Sequence, residues 1–206
     1  MIKKFLGLLI LFTFISCRPL VLVPPEIDLL PYERVGLISF SIENARGPLD
    51  QMATQRFLQE ITHFQRGVQI IELGSLEDVL VEINQASLNQ EAVKAIGEHF
   101  GVTSFFHGKI NVSDVKPQID VAGLIRHLRV RATFDISMTA RLFSTETGAT
   151  LWTDSAVRRG VLAYMGMGRE RIPYFDIRDQ EETYRRITEH LVYDLTRDFR
   201  PTKRRM

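Results

Sequence analysis

The chain has 206 residues, of which 45% are hydrophobic and 25% are charged. This balance excludes a disordered chain, a collagen-like repeat and a polytopic membrane protein, and 26 basic against 25 acidic residues give no reason to expect nucleic acid as a partner. The single cysteine excludes an intramolecular disulfide and a cysteine-based zinc site.

The first 16 residues have the pattern of a secretory signal peptide. Two lysines precede Phe5–Ile15, a run of eleven residues without a charge. This run is too short to cross the ~30 Å hydrocarbon core of a bilayer, which takes ~20 apolar residues in a helix. Extending the run to Val23 includes Arg18 and Pro19, so an uncleaved anchor is the less favoured alternative.

The residues that follow resemble the lipobox of bacterial lipoproteins. Phe14, Ile15 and Ser16 precede Cys17, and the small Ser16 fits the position before the lipidated cysteine. The resemblance implies that a diacylglycerol alkylates the Cys17 thiol and that cleavage after residue 16 makes Cys17 the new N-terminus. Phe14 departs from the usual leucine, and the alternative is an ordinary signal peptide with a coincidental cysteine.

The residues after Cys17 indicate which membrane holds the protein and how far the domain can lie from it. Position 18 is arginine, whereas enteric lipoproteins that stay in the inner membrane tend to have aspartate there, so the resemblance implies a lipid-anchored protein on the periplasmic face of the outer membrane. Residues 17–33 include four prolines and predict a proline-containing tether. From residue 17 to residue 34, an extended chain reaches at most ~60 Å.

Residues 34–200 predict a single α/β envelope domain. Val35–Ile42 and Val68–Leu73 have the character of strands, and a helix is predicted between Pro48 and Gly67. Further helices are predicted to begin at the caps Ser75 and Asn89 and, near the C-terminus, at Asp179. Residues 201–206 form a basic tail, for which a solvated chain end is the ordinary interpretation and contact with anionic lipid or a partner the alternative.

Arg129–Phe143 is the clearest strand, because apolar and polar residues alternate over its whole length. The turn after it leads to Leu151–Val161, so an antiparallel hairpin is predicted, and Thr103–Val115 is a further strand. The element order predicts an α+β sandwich: a mixed or antiparallel sheet of about five strands with three to four helices packed on it. The alternation also matches a membrane-spanning strand, but a half-buried soluble strand is favoured because this strand has no aromatic girdle beyond Phe134 and Phe143.

The sequence contains no pattern of catalytic or metal-ligating residues that we recognise, so we predict neither an enzyme nor a cofactor nor a metal site. There is no Gly-x-Ser-x-Gly motif. The histidines lack the spacing of metal ligands, and we expect them to be surface or boundary residues: His63, His99, His107, His127 and His190.

Three groups of residues are candidate partner contacts. They are a hairpin tip, a glycine-containing loop over Met165–Pro173, and the arginine-bearing polar face of the alternating strand. Each also has an ordinary interpretation, as a turn, a flexible connection or a solvated face. The residues are, in that order, Thr147 and Gly148; Gly166, Met167 and Gly168; and Arg129, Arg131 and Arg141.

Three segments together resemble a superfamily of envelope domains: Arg34–Phe40, Phe100–Ile110 and Ile136–Trp152. The superfamily includes the curli-secretion lipoproteins, the lipoprotein activators of penicillin-binding proteins and the N-terminal domain of the Tol–Pal propeller protein. The resemblance implies a non-enzymatic domain that docks onto other envelope proteins as an accessory or assembly factor of a secretion or cell-wall machine.

The alternative is an oligomeric subunit of a curli-type secretion channel. Against it, the two segments that would supply the channel hairpins, Ser113–Leu128 and Tyr164–Ile177, are short for a barrel. A third class is an envelope hydrolase, but no residues in the sequence support it. The sequence therefore predicts contact with the membrane through the lipid, and it is compatible with two kinds of protein partner: other envelope proteins and further copies of this chain.

Overall fold

The computed structural model describes residues 20–43, 49–114, 116–121, 128–167, 173–177 and 180–205. The strands are β1 (Leu20–Val23), β2 (Arg34–Ile38), β3 (Ser41–Glu43), β4 (Gln69–Gly74), β5 (Ser104–Val112), β6 (Lys116–Val121), β7 (Leu128–Ser144), β8 (Thr150–Met167), β9 (Pro173–Ile177) and β10 (Thr202–Arg205). The helices are α1 (Leu49–Phe64), α2 (Leu76–Glu82), α3 (Gln90–Phe100) and α4 (Gln180–Leu195).

Eight of these strands form one mixed sheet. Its main path is β4-β2-β5-β7-β8-β9, with β3 beside β5 and β6 beside β7. Strand β2 is parallel to both neighbours, whereas β5, β7, β8 and β9 are antiparallel to one another. The predicted α+β class is therefore confirmed, although the sheet has more strands than predicted.

Helices α2 and α3 begin where the sequence predicts. The Asp78 backbone N–H donates to Ser75 Oγ at 3.2 Å, and the Ala92 N–H donates to Asn89 Oδ1 at 2.8 Å, so both caps satisfy an otherwise unpaired donor. Helix α3 ends at Gly101, whose φ of 63° is the left-handed conformation that glycine adopts without strain.

The main core lies between the sheet and the helices α1 and α4. Alternate residues of β7 enter it, and each is at most 2% exposed: Phe134, Ile136, Met138, Ala140 and Leu142. Opposite Phe134, β8 carries Gly160, and the Phe134 ring occupies the space that a side chain there would need. The predicted burial of one face of this strand is confirmed.

A second, smaller core lies on the other side of the sheet. Helices α2 and α3 pack there through Val79, Val93 and Ile96, against Ile38 and Phe105 of the sheet. This core is centred on the part of the sheet formed by β2, β4 and the start of β5. The remainder of this side of β5, β7 and β8 consequently has no helix packed on it among the described residues.

The N-terminal segment differs from the extended tether that the sequence predicts. Strand β1 pairs antiparallel with β10, so part of the predicted tether and most of the predicted basic tail form a two-stranded ribbon. Leu29 is fully buried, and residues 30–32 form a single 3₁₀ turn. Proline-rich composition predicts an extended chain, but the pairing partner lies at the opposite end of the sequence and leaves no local signal.

Gln65, just beyond the end of α1, fastens both chain ends to the domain. Its Oε1 accepts from the Leu29 N–H at 2.8 Å, and its Nε2 donates to the carbonyls of Ile27 at 3.0 Å and Phe199 at 2.8 Å. The side chain is buried, so these three backbone groups have little access to water and depend on it.

The segment Met165–Pro173, which the sequence predicts to be a loop, begins and ends in strands. Strand β8 continues to Met167, and β9 begins at Pro173 and pairs with Ala163–Met167. On the other side of β7, β6 pairs with Leu128–Thr133. Both segments thus extend the sheet. In the part of the chain that the structure describes, no helix has the length and hydropathy needed to span a membrane.

Replacing Gln65 with leucine keeps the size of the side chain but removes all three hydrogen bonds. Because buried backbone groups then lack partners, we expect the free energy of unfolding to fall by ~3 kcal/mol in urea denaturation. The control is Gln59→Leu on the exposed face of α1, which should change stability by less than about 0.5 kcal/mol. Equal, small changes in both variants would contradict the role of Gln65.

Candidate functional site

The candidate site is the side of β5, β7 and β8 that faces away from α1 and α4, which we name the open face. Cross-strand register places its residues side by side, with His107 opposite Arg141 and Thr139 opposite Ser155. The open face consists of His107, Lys109, Asn111, Asp135, Ser137, Thr139, Arg141, Thr153, Ser155, Val157 and Arg159.

Polar contacts hold several side chains of the open face in place. The hydroxyls of Thr139 and Ser155 lie 2.9 Å apart and share a hydrogen bond. Arg159 Nε donates to Asp135 Oδ1 at 2.9 Å, and this hydrogen bond lowers the pKa of the Asp135 carboxyl. Val157 is 58% exposed beside them, so this otherwise polar surface also offers an apolar contact.

A groove of about 740 Å³ lies where the open face meets α2 and the segment after it. We name it the His107 groove. One wall is apolar and includes Leu76, Leu80 and Leu88. The floor is polar and includes His107 and Arg141, together with Lys109, Asn111, Ser137 and Thr139. The groove therefore combines an aliphatic wall with a row of hydrogen-bonding groups, as ligand and peptide sites commonly do.

His107 is buried, which corrects the expectation that it is a surface or boundary residue. It is 6% exposed, and its Nε2 has no hydrogen-bond partner among the described residues. Burial, then the positive charges of Lys109 and Arg141, lower the pKa of His107 to about 4. The imidazole is consequently neutral at neutral pH, and it leaves one buried polar atom unsatisfied in the wall of a groove.

The charges around His107 favour polar or negatively charged occupants. Lys109 Nζ lies 3.3 Å from Glu43 Oε1 in an exposed ion pair. Arg141 is exposed, and the ion pairs of the described residues do not include it. A guanidinium presents several donors in one plane and binds carboxylates in a bidentate manner. Arg141 and His107 together thus suit a carboxylate or a row of carbonyl groups.

The predicted hairpin-tip contacts lie in the turn between β7 and β8. Gly148 has a φ of 73°, which explains why glycine stands there, and Gln90 Nε2 donates to the Thr147 carbonyl at 3.0 Å. The Thr147 side chain is exposed, but the backbone of the tip is fixed to the start of α3.

The other predicted contacts do not form one surface with the tip. Gly166 and Met167 belong to β8, and the structure places Arg129 opposite Gly166 and Arg131 opposite Tyr164. For Arg129 and Arg131 the structure describes the backbone alone, and Gly168 lies outside the described residues. At ~3.3 Å per residue, Arg129 and Ser144 are ~50 Å apart along β7. Of the predicted contacts, Arg141 is the one that lines the His107 groove.

In the described part of the chain, no group of three or more histidine, cysteine, aspartate or glutamate side chains is placed to hold a metal ion.

No protein-family model matches the sequence, and no curated protein matches it. Among solved structures, the chain is similar to the PelC dodecamer from Paraburkholderia phytofirmans, with 9% sequence identity, coverage of 88% of this chain and 96% of that chain, and a TM-score of 0.46. It is also similar to lipoprotein GNA1162 from Neisseria meningitidis, with 13% identity, coverage of 62% and 83%, and a TM-score of 0.41.

A third similar structure is the LpoB C-terminal domain from Salmonella enterica, with 10% identity, coverage of 66% of this chain and 84% of that chain, and a TM-score of 0.37. One of these three proteins, GNA1162, is a lipoprotein. The likeness concerns the fold alone.

The lowered pKa of His107 makes stability depend on pH in a defined direction. The pKa of His107 is about 4 in the folded chain and 6.5 in the unfolded chain, so between pH 6.5 and about pH 4 the unfolded chain binds a proton that the folded chain does not. This contribution is therefore complete above pH 6.5 and is lost as the pH falls, by ~2.5 kcal/mol between pH 7.5 and 4.5.

Between pH 7.5 and 4.5, we expect the free energy of unfolding of His107→Gln to fall by ~2.5 kcal/mol less than that of the wild type. Urea denaturation at both pH values measures this difference. The change at Asp135 is common to both proteins and cancels in the comparison. Parallel pH profiles of the two proteins would contradict the burial of a neutral imidazole.

Proposed function

We propose that the protein is a lipid-anchored lipoprotein on the periplasmic face of the outer membrane, and that it serves as a non-enzymatic accessory or assembly factor of a secretion or cell-wall machine. Its open face receives a partner protein, and the His107 groove holds an extended, negatively charged segment of that partner. The observation that carries the proposal is the exposed Arg141, which lines the His107 groove and is in no ion pair among the described residues.

The chemistry of His107 supports binding over catalysis. A general base works best when its pKa lies near the working pH, and a pKa of about 4 leaves imidazole a weak base at neutral pH. Its Nε2 is also buried from solvent, which keeps that nitrogen away from a reacting group in the groove. The neighbouring Lys109 and Arg141 add charge complementarity, which directs association and selects the partner.

A second candidate function is an oligomeric secretion-channel subunit, and the edge of β8 favours it. Strand β9 pairs with Ala163–Met167, so along Thr150–Val161 the outer edge of β8 has no strand partner among the described residues. An unpaired edge can accept a strand from another chain, including a second copy of the same protein. This candidate and the first make different predictions about the partner that contacts the open face.

Site-specific crosslinking in intact cells separates these functions. A photoreactive amino acid at Val157, on the open face and the β8 edge, should give an adduct with a different envelope protein, which Arg141→Glu should reduce about fivefold or more. A photoreactive residue at Val81, 75% exposed on α2, is the matched control and should give little or none. Adducts with a second copy would favour the channel subunit, and equal adducts from both positions would contradict docking at the open face.

Lipidation is tested by labelling cells with a palmitate analogue. We expect the wild type to incorporate the label and Cys17→Ser to lose it, because the thioether to diacylglycerol needs the thiol. Ser16→Ala keeps a small residue before the cysteine and should retain the label. A label that persists in Cys17→Ser would refute the anchor.

A further inference from the structure

The ribbon formed by β1 and β10, which we name the terminal ribbon, exposes two large apolar side chains. Leu20 is 60% exposed and Leu22 is 62% exposed, whereas other leucines of the chain are buried in the core. Residues two apart in a strand lie on the same face, so both leucines belong to one face of the ribbon. This face is an exposed apolar patch, and such patches commonly mark a surface that binds a protein or a membrane.

A basic residue lies on the same face as these leucines. The register places Lys203 opposite Leu22, and residues directly opposite each other in an antiparallel pair share a face. Lys203 is exposed. Between residues 197 and 205 the chain carries five basic residues and one acidic residue, Asp198. The patch is therefore apolar and cationic at once.

An exposed aromatic residue lies near the ribbon, at the end of α4. Tyr193 is 55% exposed, and the Arg200 guanidinium stacks on its ring at 3.7 Å from the centroid. Tyr193, Arg197 and Thr202 line one surface depression, which connects the end of α4 to β10. Leucine and basic side chains on one exposed face are the combination that binds the interface of an anionic bilayer.

We propose that the terminal ribbon is a binding site for anionic lipid headgroups, in which Leu20 and Leu22 enter the interface and Lys203 and its neighbours contact the headgroup phosphates. The site deepens the proposed function and rests on it in one respect. A lipid on Cys17 lies three residues before Leu20, so the ribbon can be no more than ~10 Å from the bilayer surface.

Charge favours a bilayer over a second copy of the chain as the occupant. Two copies meeting through this face would bring the same basic residues against each other, which opposes association. An anionic surface instead attracts every one of these residues, and the lipid anchor raises the local concentration of that surface.

The test uses the mature, lipidated protein reconstituted into vesicles of phosphatidylcholine, with or without phosphatidylglycerol. The sequence has one cysteine, so a lipidated Cys17 leaves no free thiol, and Leu22→Cys provides a single labelling position. An environment-sensitive fluorophore at that position reports immersion through quenching by spin-labelled lipid. Val81→Cys, at an exposed apolar position on α2, is the matched control.

In vesicles with phosphatidylglycerol, we expect lipid quenching of the label in Leu22→Cys to exceed that in Val81→Cys at least about fivefold. Adding Lys203→Glu, or omitting phosphatidylglycerol, should reduce the difference, because each basic residue near an anionic surface changes binding on the order of fivefold. Lys94→Glu on α3 is the charge control and should leave it unchanged.

Equal quenching at the two positions in anionic vesicles would overturn the proposal, as would immersion of the Leu22→Cys label that neither phosphatidylglycerol nor Lys203→Glu affects. Protection of the label by added envelope protein, without quenching by lipid, would assign the ribbon to a protein partner instead. A failure of lipidation is recognised separately, because the unsubstituted protein would then take up the thiol label at Cys17.

Discussion

Strand β7 organises the domain, because its alternate side chains lie on opposite sides of the sheet. Its four large buried apolar residues each contribute about 1.5–3 kcal/mol by leaving water, and a slip by one residue would expose all of them while burying Asp135 and Arg141. The positions of β5 and β8, and of the helices that cover them, follow from this one register. Helix α4 packs on the apolar side, and the polar side becomes the open face.

Among the described residues no helix covers the open face, because the helices that share its side are short. Helix α2 ends at Glu82 and α3 at Phe100, and both are used to cover β2, β4 and the start of β5. The boundary between covered and uncovered sheet forms the His107 groove. His107 lies at that boundary, which explains how a side chain can be buried and still line an accessible groove.

Local patterns in the sequence predict much of this fold and less of its site. The alternation of β7 and the caps Ser75 and Asn89 are local, and the structure confirms them. The pairing of β1 with β10 is not, because prolines indicate only an extended chain and cannot show what it pairs with. Burial of His107 also depends on residues far along the chain, although its place two residues after Phe105, on the same face of a strand, was a usable signal.

The contacts of Gln65 determine how tension on an N-terminal anchor would pass through the domain. A pull on β1 first loads its pairing with β10 and then reaches residues 27–29, where Gln65 and the hydrogen bond from the Ile27 N–H to the Asp198 carbonyl, 3.0 Å long, resist it. The load then enters the end of α1 and the C-terminal segment, on the far side of the sheet from the open face. The attachment of the N-terminal segment and the candidate partner surface thus lie on opposite sides of the same sheet.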